Sequence, residues 1–339
     1  MLTPILTSAP CVRRYPGNPV LSKNDVPYPA DLTFNAGVAK YEGRYVMIFR
    51  NDYLAPGTVY DRQNGHGTGF AGTNLGLAFS DDGIRWDVAP EPFLTLESVQ
   101  SDEIHRIYDP RITVIGGAVY ICFAMDTAHG LRGGIAKTTD FTDFDIISLS
   151  VPDNRNMVLF PEKIGGRYCR LERPMPIYSR GGRDRFDTWL SYSPDLRYWG
   201  DSALVLAVED VPWANDKVGP AAPPVKTKYG WLVTYHGVDI DFTRGKNGWE
   251  DKWQKRYCAG IMLLDSDDPS KVLGNYPHPL LAPEANYEAD GGFRNHAIFP
   301  CGMILEDSGE VKIYYGAADI VVALATADVE DLVRLCLNG

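Results

Sequence analysis

Gly43–Arg50 reads GRYVMIFR. A glycine turns the chain into a run of aromatic and β-branched residues, the composition of a strand rather than a helix. Segments of the same kind return four more times: GAVYICFA from Gly117, GRYCRLER from Gly166, GWLVTYHG from Gly230 and VKIYYGAAD from Val311. Each is followed by a strand of small residues that closes in a polar turn: LGLAFSDDGIRWD from Leu75, GGIAKTTDFTDFD from Gly133, TWLSYSPDLRYWG from Thr188, CAGIMLLDSDDPS from Cys258 and VVALATADVEDL from Val321. Five such pairs in strict order form an internal repeat. Small sheets repeated around an axis make a β-propeller, which is large enough to use a chain of this length undivided. The expectation is therefore an all-β fold, with residues 1–339 forming a single five-bladed β-propeller whose active site lies in the axial funnel. A β-sandwich of unrelated hairpins is the alternative, but it does not require the same strand-pair chemistry five times.

Bulk properties remove several function classes. The 339 residues are 45% apolar and 23% charged, the composition of a soluble globular chain. A formal net charge of -11 argues against nucleic-acid binding, which rests on clustered Lys and Arg. Any anion site must then be a local reversal of the overall field. No stretch approaches the ~20 apolar residues that a membrane span needs. The opening MLTPILTSAP has no basic start and makes a poor signal peptide. Six scattered cysteines without a CxxC pattern call for neither a zinc site nor a disulfide framework. A reduced, cytoplasmic protein is the expectation.

In a propeller the innermost strand of each blade lines the axis, so the segments ahead of the glycine-led strands are where function is expected. They are unusually polar: DLTFNAGVAKYEG carries Asn35, IYDPRITVIGG Asp109, NRNMVLFPEKIGG Arg155, Glu162 and Lys163, ANDKVGPAAPPV Lys217, and GGFRNHAIFPCG Asn295 and His296. More charge closes the glycine-led strands, at Arg50 to Asp52, Arg173, His236 and Asp319. Taken singly, each has an ordinary structural role. Asp109 before a proline closes a strand in an Asx-type turn, at the point where sheet pairing should end. Arg173 pairs with Glu172, His236 is a satisfied structural histidine, Asn35 is a turn residue and Lys217 is a solvated loop lysine. Their shared place in the repeat converges them on one funnel instead.

Five-bladed propellers of the invertase and arabinanase type cleave glycosides with carboxylates from separate blades, and glycosidases normally need two. Here the first-blade position is Asn35, so the second carboxylate is missing. Four basic residues stand out in its place: Arg155, Arg173, Lys217 and His236. Inorganic phosphate is already a nucleophile and needs no base, but it must be held by positive groups, which Arg forks and a Lys point charge supply. One acid and a cradle of cations predict phosphorolysis.

The segments FNAG from Phe34, YDPRI from Tyr108, VLFPEKIGGRY from Val158, ERP from Glu172, KVGP from Lys217, YHGV from Tyr235 and IFPCG from Ile298 cover essentially the whole chain. In them the sequence resembles glycoside hydrolase family 130, the β-mannoside (mannooligosaccharide) phosphorylases. The resemblance implies an inverting reaction with Asp109 as the one catalytic acid, protonating the glycosidic oxygen through the mannosyl 3-hydroxyl while phosphate attacks the anomeric carbon. It also implies that Arg155, Arg173, Lys217 and His236 bind phosphate and that α-mannose 1-phosphate is released. Asn35, Arg50, Asn51, Asp52 and Asp319 then surround the nonreducing mannosyl unit. The expected partners are a β-mannoside oligosaccharide and phosphate as co-substrate, with no cofactor, metal, nucleic acid or membrane. Two rivals remain: a hydrolase in which Glu162 or Glu172 activates water, and a noncatalytic glycan-binding propeller. The segments from Gly57 and Asp241 are expected to shape the acceptor side, with Trp249 and Trp253 as sugar platforms or as contacts of a homo-oligomer. The acceptor sugar and the choice between β-1,2 and β-1,4 linkage stay open, with a lean toward oligomannosides.

Overall fold

Every glycine-led segment forms the second strand of an antiparallel sheet, and the small-residue segment after it forms the third. The computed structural model describes residues 6–55, 70–99, 101–176, 185–243 and 254–338. Its sheets follow one another as five blades. Blade 1 runs Leu32–Tyr41, Arg44–Leu54, Phe70–Ser80 and Asp87–Val88, and blade 2 runs Ile104–Ile115, Ala118–Thr127, Gly130–Thr138 and Asp145–Leu149. Blade 3 consists of Asn154–Leu159, Tyr168–Pro174, Thr188–Ser193 and Gly200–Leu206, and blade 4 of Lys217–Pro220, Gly230–Ile240, Lys255–Leu264 and Val272–Asn275, with Val225–Thr227 paired on the second strand. Blade 5 has Ile298–Leu305, Glu310–Ala317 and Val321–Asp328, and its outer strand comes from the other end of the chain: Arg13–Arg14 pairs with Ala325 and Thr326. The structure is a five-bladed β-propeller whose ring is closed by its own N-terminal segment. The closure is fastened by Glu288, fully buried, which accepts hydrogen bonds from Arg14 Nε at 2.7 Å and from the Tyr315 hydroxyl at 2.8 Å.

The packing explains why GRYVMIFR is an almost unbroken apolar run. Val46 and Ile48 pack with Ile121 and Phe123 of blade 2, whereas Met47 and Phe49 pack with Tyr314 and Leu324 of blade 5. A blade is sandwiched between two neighbours, so its second strand buries both faces and loses the polar alternation of a half-exposed strand. Blades 3 and 4 meet in the same way, with Phe160 edge-on to Trp231 at 5.1 Å between ring centroids.

The inner strands carry one repeated irregularity. In blades 1, 2 and 3 the pairing with the second strand skips between Phe34 and Gly37, between Tyr108 and Arg111, and between Arg155 and Val158. Each bulge contains one residue in the left-handed region: Asn35 at φ 46°, Asp109 at φ 55° and Asn156 at φ 58°. Asn and Asp tolerate that conformation better than other side chains, and a bulge re-aims a side chain that regular pleating would commit to one face. Asp109 therefore does not sit where sheet pairing ends. Pairing resumes at Arg111 opposite Cys122, and Asp109-Pro110 is a bulge inside a twelve-residue strand. A bulge is also one of the few places where a sheet admits proline.

Candidate active site

The bulges turn toward a depression at one end of the axis, lined by Asn35, Arg50, Asp109, Arg155, Arg173 and Asp319 among others. Asp109 Oδ1 accepts hydrogen bonds from Asn35 Nδ2 at 2.9 Å and from Arg50 Nη1 at 3.2 Å. Asn35 can reach across because the facing residue of blade 5 is Gly316: a Cβ there would lie 2.1 Å from Asn35 Oδ1. Burial pushes the Asp109 carboxyl up, but the charges of Arg50 and Arg111 and the Asn35 hydrogen bond outweigh it and hold the group below the usual carboxylate range. Asp319, also left-handed at φ 54°, behaves oppositely. Its burial is only partly offset by Arg294 and Arg50, and its carboxyl is raised.

Arg50 is held rigidly. Its guanidinium lies between the Phe34 and Tyr108 rings, at 4.4 and 5.0 Å from their centroids, and donates to Asp52 Oδ2 at 2.7 Å. Asp52 also accepts from Thr73 Oγ1 at 2.6 Å and from Arg106 Nη2 at 2.7 Å, with its side chain 2% exposed. Asn51 turns away, donating to the Pro29 carbonyl and to Asn74 Oδ1. Of the five residues expected around the mannosyl unit, Asn35, Arg50 and Asp319 face the depression, while Asn51 and Asp52 lie behind it.

The cations form the opposite wall. Arg173 Nη1 lies 2.8 Å from His236 Nε2; since guanidinium nitrogens only donate, His236 is the neutral tautomer with its proton on Nδ1. Gly219 makes room for this pair, because a Cβ there would stand 2.6 Å from His236 Cε1 and 2.8 Å from Arg173 Cδ. Arg155 and Arg173 line the depression, with Lys217 and His236 packed behind them. Burial and the Arg155 charge bring Arg173 down to about 9, and burial with the surrounding cations drives Lys217 and His236 well below their ordinary values. The nearby carboxylate is Asp216, 3.4 Å from Lys217 Nζ and 3.2 Å from Lys255 Nζ. Arg173 Nε and Nη2, Arg155 Nε and His236 Nδ1 are buried without hydrogen-bond partners. Buried N–H groups are almost always paired, so four orphans in one crowd of positive charge mark a place prepared for an anion.

Other expectations fall elsewhere. Arg173 does not pair with Glu172. Glu172 is buried and saturated by Arg170 at 2.7 Å, Asn154 at 2.6 Å and Ser191 at 2.7 Å, so it has no oxygen free to activate water. Glu162 lies beyond the far end of its inner strand, ion-paired with Lys226, and Lys163 stands over the Tyr168 ring; neither reaches the depression. Asn295 caps a turn by accepting from Gly292 N, and the carbonyl of His296 accepts from Tyr257 N. Trp249 and Trp253, and all but the tip of the segment from Gly57, lie outside the described residues. Three residues were missed by sequence reasoning. Arg294, which donates to Asp319 Oδ2 at 3.2 Å, and Arg111 were inside quoted motifs, whereas nothing in the sequence marks Tyr257.

A five-bladed propeller holding a cation-clasped aspartate in the same depression as a set of anion-ready basic groups defines the class. Residues 10–338 match the model of a family described as beta-1,4-mannooligosaccharide phosphorylase, and the chain belongs to it: glycoside hydrolase family 130, the mannoside phosphorylases. It is 33% identical to the beta-1,4-mannooligosaccharide phosphorylase of Ruminococcus albus, covering 94% of this chain and 89% of that one. It is 30% identical to a 1,2-beta-oligomannan phosphorylase of Thermoanaerobacter, over 95% and 98% of the two chains. The solved structure of a beta-1,2-mannobiose phosphorylase from Listeria innocua, in complex with beta-1,2-mannobiose, superposes with a TM-score of 0.79 at 27% identity and covers 97% of this chain and 99% of that one.

Proposed function

We propose that this chain is an inverting phosphorylase that removes the nonreducing terminal mannosyl unit of a β-linked manno-oligosaccharide and releases α-D-mannose 1-phosphate. The observation that carries this reading is the set of unpaired buried N–H groups on Arg155, Arg173 and His236, backed by Lys217. A hydrolase would place a carboxylate there to activate water. Glu172, the nearest candidate in sequence, is fully engaged.

Phosphate held by the two Arg forks attacks the anomeric carbon, and the Asp109 side delivers a proton to the departing oxygen through the mannosyl 3-hydroxyl. A general acid must be protonated, yet in the unliganded site Asp109 is held ionised by Arg50 and Arg111, with Arg155 adding to the same field. Arrival of a phosphate dianion at Arg155 cancels part of that field, so the co-substrate itself raises the proton affinity of Asp109. Asn35, Arg50 and Asp319 supply hydrogen bonds for the mannosyl hydroxyls.

The test is synthesis in reverse: α-mannose 1-phosphate with an acceptor panel, following release of phosphate. The panel spans mannose, glucose, N-acetylglucosamine and both β-1,4- and β-1,2-linked oligomannosides, because relatives bear both linkage names. Release with an oligomannoside is expected, and Asp109→Asn should lower kcat by roughly 10²- to 10⁴-fold while leaving the fold intact. Cleavage of β-mannosides in phosphate-free buffer, without phosphate release in the reverse direction, would overturn the reading.

A further inference from the structure

Arg111 stands two residues beyond Asp109, and neither the anion wall nor the mannosyl side uses it. Its side chain is among the largest fully buried ones, at 1% exposure, and among the described residues it forms no ion pair. A buried guanidinium without a carboxylate partner is costly unless its donors are met. Here backbone carbonyls meet two of its three nitrogens, Nε and Nη1, while Nη2 is buried without a partner. Nη1 donates to the Asp109 carbonyl at 2.7 Å and, more weakly, to that of Pro110 at 3.3 Å; Nε donates to the Ala221 carbonyl of blade 4 at 2.6 Å. The guanidinium also stands over the Phe299 ring of blade 5 at 5.2 Å. Behind it, the bulge backbone is wedged on blade 1: a Cβ on Gly37 would lie 2.8 Å from the Pro110 carbonyl oxygen. One side chain thus ties the Asp109-Pro110 bulge across the axis.

We propose that Arg111 is a positioning residue for the phosphorolytic reaction, its fork clamping the Asp109 carbonyl to blade 4 so that the left-handed bulge presents the carboxyl to the depression. This rests on Asp109 being the acid. A left-handed aspartate persists only where its surroundings over-determine it, and the clamp is the contact that holds this peptide from the axial side. Arg111 also sets charge. The Asp109 carboxyl is faced by Arg50 of blade 1, by Tyr108 and Arg111 of its own blade, by Arg155 of blade 3 and by Asp319 and Cys301 of blade 5, while His236 of blade 4 faces Arg111. Among these, Arg111 stands second only to Arg50 as a cation that keeps the proton off Asp109. Neutralising it favours the protonated acid.

The experiment compares pH profiles of kcat for wild type, Arg111→Gln, Arg111→Lys and Asp109→Asn, with thermal melts to establish folding and KM for both substrates. Gln keeps a donor and loses the charge; Lys keeps the charge and loses the fork. Arg111→Gln should lose on the order of 10- to 100-fold in kcat, the cost of a misplaced catalytic group, with little change in phosphate KM. The limb on which activity falls with rising pH should move upward. Arg111→Lys should lose a similar factor in kcat with that limb in place. A folded variant of either kind with wild-type kcat overturns the proposal, as does an Arg111→Gln that melts earlier but keeps the wild-type limb. If Arg111→Gln does not fold, the kcat of Arg111→Lys decides alone. An active Asp109→Asn would overturn the acid assignment itself, an outcome distinct from failure of the clamp.

Discussion

Deleting the Arg173 side chain measures the anion wall. The residue is 2% exposed, one of its nitrogens is committed to His236 at 2.8 Å, and Nε and Nη2 are buried without partners. A phosphate charge about 4 Å from a guanidinium is worth about 4 kcal/mol at an effective dielectric near 20. Part of this returns on deletion, because Arg173 is one of the cations that lower the proton affinity of Lys217 and of His236. With Arg173 gone, Lys217 holds its proton more firmly and attracts the anion better, which offsets part of the loss. Taking half of that attraction as the net loss, Arg173→Ala should cost about 2 kcal/mol, or about 30-fold in phosphate KM at ~1.4 kcal/mol per tenfold. The mannoside KM should stay within about threefold, because among the described residues Arg173 hydrogen-bonds to His236 and to none of Asn35, Arg50 and Asp319. The assay is a matrix of initial rates of α-mannose 1-phosphate release, varying phosphate at saturating mannoside and the reverse. Equal rises in both KM values, or an unchanged phosphate KM, would refute the reasoning.

Two further outcomes follow from charge. Lys217 is driven down first by burial and then by Arg173, Lys255 and Arg155 against Asp216, so an arriving phosphate dianion should raise its proton affinity. Calorimetric titration with phosphate across a pH series above neutrality, in buffers of different ionisation enthalpy, should show net proton uptake and weaker binding as pH rises; binding without uptake at every pH of the series would exclude Lys217 as a recharged partner. Away from the site, Glu306 accepts from Lys312 at 2.8 Å and from Lys40 and Tyr45 of blade 1, helping to close blade 5 onto blade 1. Burial raises its carboxyl, but these hydrogen bonds outweigh it and bring the group down to about 2. Because the folded-state value is depressed, the stabilisation is fully present above the unfolded carboxylate range, near 4.5, and is lost as pH falls toward about 2. Solvent screens this cluster, with Lys40 43% exposed, so Glu306→Gln should cost about 1 kcal/mol at neutral pH, with the difference in Tm from wild type closing across that acidic window. A difference that persists at the acid end would refute the assignment.

What the sequence determined by itself is whatever depends on near neighbours along the chain. The five strand pairs were legible because each glycine-led turn, apolar run and polar closing turn is local chemistry, repeated. Asn35, Asp109, Arg155 and Lys217 were legible as inner-strand residues because each lies in the segment ahead of a glycine-led strand, and the order of the repeat fixes the blade. The tertiary structure decided which way these side chains point. A slip of one residue exchanges the two faces of a strand, and the slips here are the left-handed bulges at Asn35, Asp109 and Asn156; turn signals alone read Asp109 as an end of pairing. Partner choice among charges was hidden for the same reason. Asp52 sits beside Asn51 in a polar run, yet burial commits it to Arg50 and Arg106. Arg173 passes over its neighbour Glu172 for His236, 63 residues away, because adjacent strand residues face opposite sides of the blade. The N-terminal strand of blade 5 and the reach of Arg111 to Ala221 are likewise contacts between residues far apart in the chain. No local pattern encodes such contacts; they exist because the ring closes and its centre excludes water.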